Sequence, residues 1–141
     1  MKRKASAVWK AGLKNGNGVI STDSGTLSDA PYSFTTRFEE EKGTNPEELI
    51  AAAHAGCFSM AFSAELEKEG LIADRIQTTA TVTLEKSDGG FSIPAIHLDV
   101  TAKVPNANQT TFNKAAQQAK EGCPISKLMN ATITMDATLI S

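Results

Sequence analysis

Apolar and polar residues alternate with a period of two near the start of the chain, give way to an unbroken run of apolar and small residues in the middle, and alternate again beyond it. The first β-type segments, residues 7–10 and 18–22, flank Asn15-Gly16-Asn17-Gly18, which is strong hairpin-turn chemistry. A third strand is expected over residues 32–38. There the alternation puts Tyr32, Phe34, Thr36 and Phe38 on one face and Ser33, Thr35 and Arg37 on the other, so that Arg37 points away from the aromatic stripe.

Thr44-Asn45-Pro46-Glu47-Glu48 reads as a helix start, with Asn45 as N-cap, Pro46 at the first position and Glu48 three residues past the cap. The helix is expected to run to Gly70. Over residues 49–66 its apolar or small side chains fall on every side, the pattern of a helix enclosed by protein. One modest sheet cannot cover it, so a second subunit is expected. Downstream, residues 76–86 and 91–104 are β-rich and joined by Ser87-Asp88-Gly89-Gly90, which favours a tight hairpin. Pro94 shifts the parity of the second strand, since Phe91 and Ile93 give way to Ile96, Leu98 and Val100; a bulge or edge position is implied. A polar helix over residues 109–121 stops at Gly122, Cys123-Pro124 opens a short turn, and residues 131–140 form a final strand. This order describes a single α+β domain over residues 1–141, without repeats or linkers.

Charge narrows the partners. With 14 Lys and Arg against 16 Asp and Glu, and a formal net charge of −2, there is no basic field to gather nucleic acid or anionic lipid. Lys2, Arg3 and Lys4 are not followed by the apolar run of a signal peptide. The longest uncharged stretch, residues 49–64, contains a histidine and falls short of the ~20 apolar residues a bilayer needs. The expectation is a soluble, cytosolic protein acting on small molecules, with no membrane and no nucleic-acid partner. In a reducing compartment its two cysteines are inert core residues or working thiols rather than a permanent staple.

Cys57 falls in the middle of the enclosed helix, where a free cysteine commonly behaves as a small hydrophobe. To act as a nucleophile it must ionise, and the dipole of its own helix fades within the first turn. An external cation is required. Arg37, permanently charged, planar and just before the helix, is the candidate, and a buried arginine in turn needs a carboxylate. At ~100° per residue, Glu48 lies on the opposite side of the helix from Cys57 and Glu47 roughly 80° away. Glu48 therefore suits capping and Glu47 suits the clamp, although a helix N-terminus favours Glu47 without any catalysis. Cys123 sits in an N-cap-like position before Pro124, where backbone N–H groups lower a thiol pKa, so electrostatics alone makes it an equal candidate for the attacking residue. His54, one turn before Cys57, is a base, a ligand or a hydrogen-bonded packing residue. A zinc set of His54, Cys57, His97 and Cys123 lacks paired C-x-x-C spacing, and no phosphate-loop or dinucleotide pattern is present; no metal and no cofactor are expected.

With these residues assembled, Thr36-Arg37-Phe38, the run from Lys42-Gly43-Thr44-Asn45-Pro46-Glu47 to Ala55-Gly56-Cys57-Phe58-Ser59-Met60, and Gly122-Cys123-Pro124 resemble the OsmC/Ohr family of osmotically inducible and organic hydroperoxide resistance proteins, closest to its OsmC branch. The similarity extends over nearly the whole chain. It implies an OsmC-like domain with a long central helix packed on antiparallel sheets, in an intertwined homodimer with two active sites at the subunit interface. Position by position, it implies that Cys57 is the attacking thiolate, Cys123 the resolving thiol, Arg37 the arginine that holds the thiolate and Glu47 the carboxylate that orients it. The tie between the thiols is broken on that ground. The implied activity is reduction of organic hydroperoxides, and more weakly hydrogen peroxide, through a Cys57 sulfenic acid and a Cys57–Cys123 disulfide reopened by a lipoyl-type dithiol. Phe58, Met60 and Phe62 either favour alkyl substrates or are plain core. A redox-sensing or ligand-binding dimer without peroxide turnover is the competing expectation.

Overall fold

Hairpin chemistry shapes the N-terminal part as expected. In the computed structural model, which describes residues 1–141, the chain divides into two compact units, Met1–Leu49 and Ile50–Ser141. In the first, β1 (Ala5–Lys10), β2 (Asn17–Thr22) and β3 (Ala30–Tyr32) pair antiparallel in that order. Trp9, Gly18 and Tyr32 stand in register across the sheet, and the two rings close over the glycine with centroids 5.3 Å apart. A Cβ on Gly18 would lie 2.6 Å from the Tyr32 ring and 2.8 Å from that of Trp9. Only glycine lets the rings approach this closely.

The expected third strand stops at Tyr32. Residues Phe34–Phe38 form a short helix, α1, capped by Ser33. The Ser33 N–H donates to Thr36 Oγ1 at 2.8 Å and the Thr36 N–H donates to Ser33 Oγ at 3.2 Å. This reciprocal box satisfies two donors that a helix start otherwise leaves orphaned, and it overrides the β preference of the aromatic and threonine residues. The period-two face is lost with it. Phe34 and Phe38 now stack one turn apart, and the Arg37 guanidinium lies 5.1 Å from the centroid of the Phe38 ring instead of pointing away from the aromatics.

The long helix, α2 (Pro46–Lys68), begins as its sequence predicts, with Asn45 Oδ1 accepting the Glu48 N–H at 2.8 Å. It ends where Leu71 N–H bonds Leu66 O and Gly70 N–H bonds Glu67 O, both at 3.0 Å, with Gly70 at φ 75°. That Schellman geometry needs a left-handed residue, which glycine adopts without a steric penalty. Within its own chain α2 encloses one stripe only, His54, Phe58, Phe62 and Leu66. Ala52, Ala53, Gly56, Met60 and Ala64 face outward and are exposed. Counted over its whole length, and not over the uncharged stretch alone, the helix is long and apolar enough to cross a bilayer. The aromatic stripe packed on other elements is nonetheless what a core helix presents.

The second sheet runs β4 (Arg75–Ser87), β5 (Gly90–Lys103) and β6 (Thr132–Ile140), in that spatial order. The β4–β5 hairpin is antiparallel, but β5 and β6 pair in parallel, so the sheet is mixed where an antiparallel one was expected. The connection explains it. Helices α3 (Gln109–Gly122) and α4 (Pro124–Leu128) separate the two strands and return the chain to the end where β5 began, the crossover that parallel pairing requires. The register of the hairpin shifts between Thr83 and Glu85, opposite Pro94, and β6 pairs with β5 only from Ala95 onward. The missing N–H of Pro94 therefore falls outside the three-stranded ladder.

Alternate residues Ile96, Leu98, Val100 and Ala102 of β5 turn inward and meet Phe58, Phe62 and Leu66 of α2 and Phe112, Ala115, Ala116 and Ala119 of α3. Phe62 and Phe112 meet edge to face at 5.3 Å. Each large side chain buried here is worth about 1.5–3 kcal/mol. Cys123 continues the buried stripe of α3 past its end, and this delivers it to α2.

Candidate active site

Core packing brings the two cysteines together. Cys57 lies next to Phe58 on α2, half-buried, while Cys123, at the junction of α3 and α4, is fully enclosed. Both are free thiols, and their sulfurs lie 2.8 Å apart. A disulfide needs ~2.05 Å, so closure takes less than an ångström of movement.

The start of α4 serves Cys57 and not Cys123. The Cys123 N–H closes α3 on Ala119 O at 2.9 Å. The Cys123 side chain makes no N-cap bond to α4, although it stands at the cap position. The backbone N–H of Ile125 points instead at the Cys57 thiol and pulls its pKa down. Burial, and then the neighbouring Cys123 thiol, outweigh that pull and hold Cys57 above its ordinary value.

His54 occupies the innermost position of the helix face below Cys57. It is fully buried, its Nε2 lies 2.8 Å from Ser126 Oγ on α4, and its Nδ1 has no partner. Burial pushes its pKa below the ordinary histidine value, so the ring is neutral. Sequence reading missed Ser126. The available signal was its spacing, three residues after Cys123, as His54 stands three before Cys57. A second hydroxyl pair, Ser59 with Thr78 at 2.8 Å, ties α2 to β4.

The other histidine is engaged elsewhere. His97 bonds Thr134 Oγ1 at 2.5 Å through Nδ1, while its Nε2 lies 3.1 Å from Asp136 and 3.4 Å from Asp99. The zinc set of two histidines and two cysteines is therefore not assembled. His97, Asp99 and Asp136 do bring three donor atoms within 4.8 Å of one another, a set with the chemistry of a divalent-ion site, but the imidazole already bridges the exposed carboxylates.

In the N-terminal unit, Arg37 and Glu47 form the expected clamp. Arg37 Nε lies 3.2 and 3.3 Å from the two Glu47 oxygens and Nη2 lies 2.9 Å from Oε1. The carboxylate is nearly enclosed, at 12% exposure, while the guanidinium keeps 37%. One edge of the planar fork is thus spent on Glu47 and its orientation is fixed. Arg37 also lines a cavity of about 230 Å³ with Trp9, Leu13, Tyr32, Phe34 and Phe38. Phe58 and Phe62 are core, each with no exposed surface, whereas Met60 is 78% exposed.

Comparison with known proteins adds to this geometry. The model of the family described as OsmC-like protein matches residues 39–138. Peroxiredoxin OsmC of Escherichia coli is 50% identical over 139 residues, covering 99% of this chain and 97% of the relative. Organic hydroperoxide resistance protein-like 1 of Staphylococcus saprophyticus is 36% identical over 121 residues, covering 85% and 84%. Among solved structures, the organic hydroperoxide resistance protein OhrB of Bacillus subtilis superposes with a TM-score of 0.67 at 25% identity, covering 97% of this chain and 98% of that one. An OsmC-like protein from Mycoplasma pneumoniae, at 16% identity, shares the fold with a TM-score of 0.78 and covers 100% of this chain and 99% of its own.

Proposed function

The chain belongs to the OsmC-like protein family, and on that footing we propose that it is a cysteine-based peroxidase in which Cys57 attacks organic hydroperoxides, and hydrogen peroxide more slowly, and Cys123 resolves the product. The observation that carries this reading is the 2.8 Å approach of two free thiols from elements 66 residues apart. The printed names of the relatives, a peroxiredoxin and organic hydroperoxide resistance proteins, supply the reaction class.

The Cys57 thiolate attacks the distal oxygen of the O–O bond, giving a sulfenic acid and releasing an alkoxide that takes up a proton as alcohol. Cys123 then condenses with the sulfenic acid, forming the disulfide and water. A dithiol reopens the bridge and is itself oxidised to a disulfide. The substrate is thus a hydroperoxide and the electron donor a thiol; a lipoyl-type dithiol is the donor that our reading favours.

Burial and Cys123 together hold the Cys57 thiol up, so the reaction needs a cation. Arg37 fills that role in the proposal, with Glu47 fixing the plane of its guanidinium. The aromatic cavity beside Arg37 suits the alkyl or aryl part of an organic substrate. A homodimer belongs to the same proposal. The outward face of α2, with Ala52, Ala53, Gly56, Met60 and Ala64, is small and apolar and fits a second copy of the same helix. Two free thiols also accord with the reducing cytosol.

The test is a steady-state assay with cumene, tert-butyl and hydrogen peroxides, each with dihydrolipoamide or thioredoxin as donor. Turnover of the organic peroxides with dihydrolipoamide is expected. Oxidation of Cys57 by one equivalent of peroxide without recycling by either donor would favour a redox sensor.

A further inference from the structure

We propose that Ser126 and His54 are positioning residues, and that their hydrogen bond holds Cys123 where it can attack oxidised Cys57. The proposal rests on the peroxidase reading and assigns the second half of its cycle. On α2, His54 and Cys57 are three residues apart and share a face; Cys123 and Ser126 are likewise three apart where α4 begins. His54 pairs with Ser126 and Cys57 with Cys123, each pair at 2.8 Å, so the two elements are joined by antiparallel rungs about one helical turn apart.

Core packing of Cys123 and of the partly buried Ile125 brings α4 up to α2 but fixes it only in part. Helix α4 has five residues, too few to be stable in isolation, and Leu128 at its end is 74% exposed. The one buried side chain on α4 is Ser126, and it is anchored by His54. The histidine is otherwise hard to account for. It opens the stripe that continues with Phe58, Phe62 and Leu66, where an apolar residue would pack without leaving an orphan nitrogen at Nδ1. The tautomer that fits is Nε2–H donating to Ser126 Oγ, because Nδ1 is then a bare lone pair and not a buried, unpaired N–H.

Peroxide attack puts an oxygen atom on Cys57 Sγ, which crowds the facing thiol. In the next step the Cys123 S–H and the Cys57 S–O bonds break, the S–S bond forms, and hydroxyl and proton leave as water. Without the second rung the added oxygen can push α4 and Cys123 out of reach. With it, Cys123 stays poised. The bond thus acts on the resolving step and leaves the first oxidation alone.

The experiment compares wild type with Ser126→Ala, Ser126→Thr and His54→Leu, measuring sulfenic acid formation at Cys57 and disulfide formation separately by rapid acid quench, alkylation and mass spectrometry. Ser126→Ala and His54→Leu are expected to slow disulfide formation about fivefold to tenfold, the loss of one net hydrogen bond, with sulfenic acid formation near the wild-type rate because the lost bond joins His54 to Ser126 and does not touch Cys57. Ser126→Thr, which keeps the hydroxyl, is expected to restore most of the closure rate, and sulfinic acid at excess peroxide should rise only in the slow variants. A variant that only loosened the fold would slow both steps together, and that result overturns the proposal, as does disulfide formation at the wild-type rate in the folded variants. Closure driven by diamide runs in parallel. If wild type closes with diamide and ignores peroxide, the peroxidase reading fails, and the same variants read by diamide still decide whether the bond positions Cys123.

Discussion

Cys57 and Cys123 hold their sulfurs 2.8 Å apart but differ in access, Cys123 being fully enclosed and Cys57 half-buried. On the proposed peroxidase reading, peroxide and the thiol donor therefore both arrive at Cys57. In the reduced protein, iodoacetamide is expected to modify Cys57 well before Cys123, read by peptide mass spectrometry. Cys57→Ser should abolish peroxide consumption. Cys123→Ser should permit one oxidation and then stall, with sulfenic or sulfinic acid found at Cys57. Finding the oxidised sulfur at Cys123 in Cys57→Ser would reverse the assignment.

Burial and the Cys123 thiol raise Cys57 against the pull of the Ile125 N–H, so a cation is needed to ionise it. If Arg37 is that cation, Arg37→Met raises the apparent pKa for Cys57 alkylation, and Arg37→Lys loses much of the peroxidase rate despite keeping the charge. An ammonium lacks the fork that engages Glu47 through both Nε and Nη2. Glu47→Gln should lose less, because it only loosens the arginine. An alkylation profile unchanged in Arg37→Met would remove Arg37 from the site.

Met60 is 78% exposed at the centre of an apolar helix face. Met60→Glu puts a charge where a second copy would pack, and burying it unpaired costs several kcal/mol. Sedimentation should show wild type as a dimer and the variant shifted toward the 14.9 kDa monomer. A wild-type protein that sediments as a folded monomer would sink the dimer.

His54 is buried with a pKa below its ordinary value. The unfolded chain, with the higher pKa, takes up the proton first, so this contribution to stability is present above pH ~6.5 and is lost as the pH falls below it. Thermal melts should show Tm falling as the pH drops below about 6.5 in wild type, with a shallower fall in His54→Leu. Equal slopes in both proteins would show that another group governs the acid limb.

Local signals in the sequence determined a great deal. Asn45 before Pro46, the Asp88-Gly89 turn and Gly70 each act through the backbone within a few residues, so the ends of α2 and the β4–β5 hairpin were legible. The motif around Cys57 was sufficient to place the chain in its family. Residues 32–38 show the limit: their alternation spelled a strand, and the reciprocal Ser33–Thr36 cap, also written in the sequence, won. Parallel pairing of β5 with β6 lay beyond local reading, because strand direction depends on where α3 and α4 set the chain down. The same holds for the site. Sequence supplied two thiols and a lone histidine, but only the packed α3 stripe carries Cys123 to Cys57 and Ser126 to His54, 72 residues away. A burial cost or a hydrogen bond between such distant residues exists only once the core has closed around them, and that is why tertiary structure alone decided it.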